Sequence, residues 1–299
     1  MRLLVTGSNG LVGSRLVHLL AARGHEVISL GRGPSRANQP NYRMVDLGDD
    51  AAVRAVVRET RPEAVINPAG MTDVDGCERD PVGAYVANVE GVASVCRAAR
   101  EIGAHLVHVS TDYVFDGDAG PYEVDALPNP RGAYAITKYL GEQTVRVLVP
   151  KERWTIARTA VVYGWPSTGK NNFGTWLVST LRDGKPVKLF SDQWVSPTHA
   201  SNCAEMLAEL AERKLAGTWH TCGAETMDRV AFGHALCDRF GFDRSLVQPS
   251  RMAEVNLPSP RPARSGLRVG KTSEALAAKP LTLAASLDRL HAEYKETPT

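Results

Sequence analysis

The sequence predicts an α/β fold: a doubly wound parallel sheet followed by a smaller C-terminal cap. Three observations predict it. Short β-branched runs alternate with longer amphipathic stretches through the first half, a glycine-spaced turn joins the first run to the first stretch, and the rhythm loosens from about residue 164.

Residues 3–6, 27–30, 43–45, 64–67, 106–110 and 155–162 read as strands. Residues 11–23, 51–59, 82–101 and 133–147 carry apolar side chains at helical spacing, with Leu16, Leu19 and Leu20 as an example. Gly24 and Gly103 stand where left-handed C-caps belong, and Asp80-Pro81 supplies an N-cap followed by proline at the first helical position. Strand–helix alternation of this kind requires right-handed crossovers, so the strands run parallel with helices on both faces. Further helices are expected over 173–182, 202–213 and 229–240, while Pro258, Pro260 and Pro262 mark a rigid, irregular stretch. The expected division is a nucleotide-binding domain over 1–163, to which later segments return, and a region over 164–299 that is mainly a substrate-binding cap.

The 299 residues suffice for one large core or one core with a small partner. Apolar residues make up 43% and charged residues 23%, with a formal charge of +2 and no run of more than two Lys/Arg, which argues against nucleic-acid binding. Cys77, Cys96, Cys203, Cys222 and Cys237 are scattered without a CxxC pair and read as reduced thiols. No signal-peptide layout opens the chain and no apolar run approaches the ~18 residues of a membrane span. A cytoplasmic protein with no membrane partner is expected.

Residues 3–13 form a buried strand, a turn and the start of a helix, with glycines at Gly7, Gly10 and Gly13. Gly7 permits the tight turn, Gly10 lets backbone approach a diphosphate, and Gly13 lets helix and strand pack closely. A diphosphate then sits on the helix N-terminus, lined by Gly7, Asn9, Gly10, Leu11, Val12 and Gly13. This is the Rossmann-type dinucleotide site, placed by its context rather than by its glycines alone. Where NAD sites carry an acid after the second strand, this chain has Arg32, with Arg36 behind it, which favours the 2′-phosphate of NADPH over NADH. Asp46 and Leu47 after the third strand are expected near the adenine, and Ala69 and Gly70 after the fourth beside the cofactor ribose.

Tyr134 and Lys138 lie four apart on one helix face. Reduction of a carbonyl needs a proton for the nascent alkoxide, and an ammonium beside a tyrosine stabilises its phenolate. Lys138 is also positioned to reach the nicotinamide ribose. Thr111 ends the fifth strand, 23 residues before Tyr134, with a hydroxyl suited to a substrate carbonyl. Nucleotide loop, strand-end hydroxyl and Tyr/Lys pair in this order point together to a carbonyl reductase.

The run Ser110-Thr111-Asp112-Tyr113-Val114-Phe115-Asp116-Gly117 and the run from Tyr134 to Glu142 resemble the dTDP-4-dehydrorhamnose reductase branch of the extended short-chain dehydrogenase/reductases. Pro121-Tyr122-Glu123, Pro128, Arg158-Thr159, Val162-Tyr163-Gly164, Asn172-Phe173, Asp192-Gln193, Pro197-Thr198 and Arg261-Pro262 echo its other landmarks. The resemblance implies a Thr111/Tyr134/Lys138 catalytic set supported by Asn88. It also implies NADPH-dependent reduction of the 4-keto group of a nucleotide-activated deoxysugar, dTDP-4-dehydrorhamnose to dTDP-rhamnose. On the substrate side it assigns Asp112, Val161, Asn172 and Arg261. Two departures fall there: Val161 stands in place of an aromatic and Arg264 in place of an asparagine. The paired-glutamate pattern of metal-bridged dimers in some relatives is not recognisable, although homodimers are common among them.

Two other readings compete: an epimerase of nucleotide sugars, disfavoured by Arg32, and an NADP-binding regulatory subunit resembling the methionine adenosyltransferase partner, disfavoured by the intact catalytic set. No metal is expected. His105 and His108 face opposite sides of one strand, and His220 with Cys222 lacks a third ligand. Asp73, Asp75 and Glu78 read as a solvated acidic loop, and Trp165, Trp176 and Trp194 as cap residues that pack its core or stack on a nucleobase.

Overall fold

The computed structural model describes residues 1–36, 38–165 and 171–296. β1 (Arg2–Val5) leads through the glycine turn into α1 (Leu11–Ala22), followed by β2 (Glu26–Gly31), β3 (Tyr42–Met44), α2 (Asp50–Thr60) and β4 (Ala64–Asn67). Two short helices, α3 (Val74–Arg79) and α4 (Pro81–Tyr85), precede a π-helical turn over Val86–Glu90 and then α5 (Gly91–Ile102). β5 (His105–Thr111), α6 (Ala133–Leu148) and β6 (Trp154–Thr159) complete the first half. The second half runs β7 (Val162–Tyr163), α7 (Phe173–Arg182), β8 (Val187–Phe190), β9 (Trp194–Val195), β10 (Thr198–His199) and α8 (Ala200–Glu212). It ends with β11 (Gly217–His220), β12 (Met227–Asp228), α9 (Arg229–Phe240), β13 (Val247–Ser250), α10 (Gly270–Ala275) and α11 (Leu283–Glu296).

Seven strands form the main sheet in the order β11-β6-β5-β4-β1-β2-β3, every pair parallel. Successive side chains of β1 divide between its two faces. Leu3 and Val5 pack with Leu16 and Leu20 of α1 and Leu207 and Leu210 of α8, while Leu4 packs with Val53, Val57, Val92 and Val95 of α2 and α5. The doubly wound sheet expected from the sequence is present. A third core, around Leu177, Leu189, Phe232, Leu236, Val247 and Leu290, holds α7, β8, α9, β13 and α11 together beside it.

The chain winds β1→β2→β3 toward one edge and β4→β5→β6→β11 toward the other, so the direction reverses between β1 and β4. A crevice opens outside the strand ends at such a switch point. The glycine turn after β1 and residues 68–70 after β4 stand at its mouth.

Gly24 and Gly103 both have positive φ, 78° and 72°, as C-caps require. Asp80 caps the next helix through Gly83 N at 2.8 Å, with Pro81 following. The helix expected over 82–101 is not continuous: the π-helical turn interrupts it at Val86–Glu90. The inserted residue of such a turn redirects side chains, and Asn88 is buried within this one. The strand expected over 155–162 ends at Thr159, because Val161 sits at φ 41° and turns the chain out of the main sheet toward β7, which pairs with β10. A β-branched residue is rarely held there. Short or isolated strands such as β11 and β12 lack a run long enough to show period-two alternation, so sequence patterning does not reveal them.

Candidate active site

At the cofactor end the site is made of backbone. Gly7 has φ 55°, and a Cβ there would stand 2.9 Å from Ala69 Cα. Gly10 N donates to Gly7 O at 2.8 Å, and a Cβ on Gly13 would lie 2.2 Å from that same oxygen. Gly10 is the N-cap of α1 and offers no side-chain hydrogen bond, and no acid occupies the first turn. The N–H groups opening α1, at Leu11, Val12 and Gly13, therefore point at the crevice with the positive end of the dipole behind them. This cradle fits a dinucleotide diphosphate.

Asn9 does not simply line the loop. Its amide donates to Pro34 O and to the Tyr42 hydroxyl, both at 3.0 Å, and its Oδ1 accepts from Arg36 N at 3.0 Å. Asn9 thus anchors the 32–36 segment against the glycine turn. Arg32 and Arg36 are exposed there, and neither has a carboxylate partner among the described residues. Asp46 is exposed and holds its own turn through Gly48 N at 2.9 Å, while Leu47 packs against Gly91.

Gly70 links the two ends. A Cβ on it would lie 2.8 Å from Asn88 Oδ1 and 3.8 Å from Lys138 Nζ. Asn88 clamps Met71 by accepting from its N at 2.9 Å and donating to its O at 3.1 Å, and donates to Thr137 Oγ1 on α6 at 3.1 Å. The π-helical turn is what lets one carboxamide reach both the loop after β4 and the helix bearing Tyr134.

Thr111, Tyr134 and Lys138 are all buried, at 5%, 8% and 4% exposure, and so are shielded from bulk water. The Tyr134 phenol lies by the Thr111 hydroxyl, an interaction that favours phenolate, but burial dominates and pushes its pKa well above 10. Lys138 Nζ donates to Val109 O at 2.7 Å, and burial pulls its pKa down to about 8, opposed by Glu142. The sequence expectation that Lys138 directly lowers the Tyr134 pKa therefore differs from the structure, in which Tyr134 is a neutral phenol held so by desolvation. A neutral phenol is the form a proton donor needs.

Asp112 is buried beside them. Its Oδ1 accepts from Thr111 Oγ1 at 3.1 Å and its Oδ2 from Ser265 Oγ at 2.5 Å, yet burial still raises its pKa to about 6. Tyr113 packs edge-on against Tyr134, with ring centroids 5.5 Å apart.

The acidic stretch after β4 is structural rather than simply solvated. Asp73 caps α3 through Gly76 N, Asp75 pairs with Arg261 at 2.7 Å, and Glu78 accepts from Ala133 N at 2.9 Å, at the otherwise uncapped start of α6. Patterning alone could not assign the partners of Asp75 and Glu78, which lie far along the chain. Asn172 caps α7 through Thr175 N and closes on Gly164 N and O, so its side chain serves the backbone here. Val161 is partly exposed at its left-handed turn. Trp165 packs edge-on against Tyr294, whereas Trp176 and Trp194 are 40% and 42% exposed and remain able to meet a ligand. His105 bonds Thr155 Oγ1 and His108 faces Asn67 Nδ2, and among the described residues no metal-binding group of His, Cys, Asp or Glu occurs. A third pair escaped sequence reasoning: Glu142 and Arg158, fully buried and joined at 2.8 Å, which fix α6 to β6 one turn beyond Lys138.

A dinucleotide cradle at the switch point, with hydroxyl, phenol and amine gathered at the adjoining strand end, is the arrangement of an extended short-chain dehydrogenase/reductase. Within that class the chain belongs to the family described as RmlD substrate binding domain, which matches residues 1–296. It is 34% identical over 299 residues to a probable low-salt glycan biosynthesis reductase, Agl14, of Haloferax volcanii, covering 98% of both chains. To the dTDP-4-dehydrorhamnose reductase of Streptomyces griseus it is 36% identical over 272 residues, 89% of this chain and 85% of the relative. To the methionine adenosyltransferase 2 subunit beta of Xenopus laevis it is 32% identical, covering 87% and 78%. The crystal structure of dTDP-4-dehydrorhamnose reductase from Bacillus anthracis in complex with NADP superposes with a TM-score of 0.88 at 27% identity, covering 98% of this chain and 99% of that one.

Proposed function

We propose that this protein is an NADPH-dependent reductase that converts the 4-keto group of a nucleotide-activated deoxysugar to a hydroxyl, with dTDP-4-dehydrorhamnose as substrate and dTDP-rhamnose as product. The observation that carries this is the meeting of Thr111, Tyr134 and Lys138 beside Gly70, with Tyr134 kept protonated by its surroundings. Gly7, Gly10 and Gly13 would hold NADPH, with Arg32 for its 2′-phosphate, and the bound cofactor would supply the hydride. Thr111 holds the keto oxygen. As negative charge builds on that oxygen, Tyr134 transfers its phenolic proton to it, completing the alcohol. Lys138 would hold the nicotinamide ribose, and a solvent proton then restores the phenol. Burial of the three groups excludes water during the transfer.

The larger sheet domain over 1–163 holds the cofactor, and segments of 164–299 complete the substrate side, where Asp112, Val161 and Arg261 face the sugar nucleotide. A cytoplasmic site of action fits a protein in which no described helix is long and apolar enough to cross a membrane. A homodimer is also proposed: Val82, Tyr85 and Val86 lie exposed by α4 and Ile136 and Leu140 along neighbouring α6, an apolar strip suited to a second copy.

A regulatory role without turnover has one support, the likeness to the methionine adenosyltransferase subunit, and the assembled Thr111/Tyr134/Lys138 set opposes it. One assay separates the two. Wild type and Tyr134→Phe are mixed with NADPH and dTDP-4-dehydrorhamnose while NADPH absorbance is followed. The phenylalanine variant is expected to retain NADPH binding and to lose about 10²–10⁴-fold in kcat. Equal rates for the two proteins would refute the mechanism, and no oxidation by wild type would return the regulatory reading.

A further inference from the structure

The segment that carries Arg32 and Arg36 is exposed, yet its main chain is held at residues 33, 34 and 36. Asn9 Nδ2 donates to Pro34 O, and Asn9 Oδ1 accepts from Arg36 N, both at 3.0 Å. The Tyr42 hydroxyl donates to Gly33 O at 2.5 Å. Asn9 and Tyr42 are also joined to each other, amide to hydroxyl, at 3.0 Å. Exposed loops ordinarily leave such main-chain groups to water.

The two side chains form a hub with fixed ends. Asn9 belongs to the glycine turn, and Tyr42 opens β3, paired with Ser29 of β2. Buried Gln39 adds a tie to the same turn, donating to Ser8 O at 2.5 Å. Room for the hub comes from Gly31, the last residue of β2. A Cβ there would stand 2.6 Å from the Tyr42 hydroxyl and 3.0 Å from Asn9 Nδ2. Gly31 has no positive φ, so what the position uses is the missing side chain.

Arg32 and Arg36 extend from the held segment with no carboxylate partner among the described residues. A guanidinium on a free loop loses rotamer and backbone freedom when it takes an anion, and that loss cancels much of a solvent-screened contact. A loop already fixed before the anion arrives avoids most of that loss. Because Asn9 is part of the diphosphate turn, the hub also sets the place of both arginines relative to the cofactor cradle.

We propose that Asn9 and Tyr42 are positioning residues for cofactor choice, holding residues 32–36 so that Arg32 and Arg36 are pre-set for the 2′-phosphate of NADPH. This rests on the assignment of that phosphate to Arg32. It places part of the preference in two uncharged side chains that act through the arginines.

Fluorescence titration with NADPH and NADH, which differ only by the 2′-phosphate, tests this without turnover. The proteins compared are wild type, Tyr42→Phe, Arg32→Ala/Arg36→Ala, and all three substitutions combined. Wild type is expected to favour NADPH about tenfold or more. Tyr42→Phe keeps the ring and both arginines, and is expected to weaken NADPH about three- to fivefold while NADH stays within about twofold. The protein lacking both arginines is expected to bind the two dinucleotides alike, and adding Tyr42→Phe to it should change neither affinity further. A tyrosine with only a structural role would not show that non-additivity. An unchanged NADPH-to-NADH ratio in Tyr42→Phe, or a loss of NADPH affinity that persists without the arginines, overturns the proposal and leaves the phosphate assignment standing. A wild-type ratio near one, or a preference that survives loss of both arginines, overturns both. Should Tyr42→Phe bind neither dinucleotide, Gly31→Ala decides, because its Cβ displaces the hub without removing a hydrogen-bonding group. A reduced ratio in that variant supports the proposal, and a wild-type ratio overturns it.

Discussion

The two ends of the cleft are built from different materials. The cofactor end is backbone: Gly7, Gly10, Gly13 and the first N–H groups of α1, with Ala69 against Gly7. On the side where we place the substrate, the groups are side chains in long-range pairs: Asp112 with Ser265 and Arg261 with Asp75. A backbone cradle has no side chain to remove and fails only when atoms are added. A side-chain pocket fails when one partner is deleted, and the group left behind bears the cost.

The contrast is sharpest at Gly13. Gly13→Ala places a Cβ 2.2 Å from a peptide oxygen that cannot swing aside. The variant is expected to lose about 3 kcal/mol or more of stability, read as a fall in the urea midpoint, together with NADPH affinity read by fluorescence titration. A variant that binds NADPH normally would show that the turn yields, and the comparison would collapse.

Ser265→Ala probes the opposite construction. Burial has already raised the Asp112 pKa to about 6, so near neutral pH the carboxylate is ionised and relies on the serine hydroxyl. Deleting that donor is expected to cost about 1–3 kcal/mol. The sign with pH follows: below about 6 the carboxyl is protonated and needs the donor less, so the gap between variant and wild type should narrow as pH falls through that value. Urea midpoints measured on either side check it, and a gap independent of pH would mean that Asp112 does not titrate there.

The smallest effect is expected where a side chain enters the cofactor end. Arg32 is exposed, and a contact screened by solvent is worth about 1 kcal/mol. Arg32→Ala should raise the NADPH KM about fivefold and leave the NADH KM unchanged, as measured by initial rates with each cofactor. Equal change in both would assign the 2′-phosphate elsewhere.

The same difference explains what could be read from sequence. Glycines have few reasons to recur between a strand and a helix, so Gly7, Gly10 and Gly13 spoke for themselves, and Tyr134 with Lys138 needed only helix geometry and the strand end at Thr111. The partners of Asp75, Glu78 and Asp112 are fixed by tertiary contacts that no local spacing encodes. At Asn172 the structure adds what the motif could not show: its amide also serves the backbone, at Gly164 and Thr175. The π-helical turn at Asn88 puts the helix one residue out of step, and the positive φ at Val161 ends its strand, and neither is visible to a periodic reading.

The stretch after β4 carries a consequence for engineering. Within eight residues it grips the π-helical turn through Met71, Arg261 through Asp75, and the start of α6 through Glu78. The 250–265 segment therefore cannot be exchanged on its own without breaking the tie at Arg261. A donor segment without an arginine at 261 would strand Asp75 and loosen the loop that also steadies Gly70. Retargeting this site means recoding both ends of the tie together.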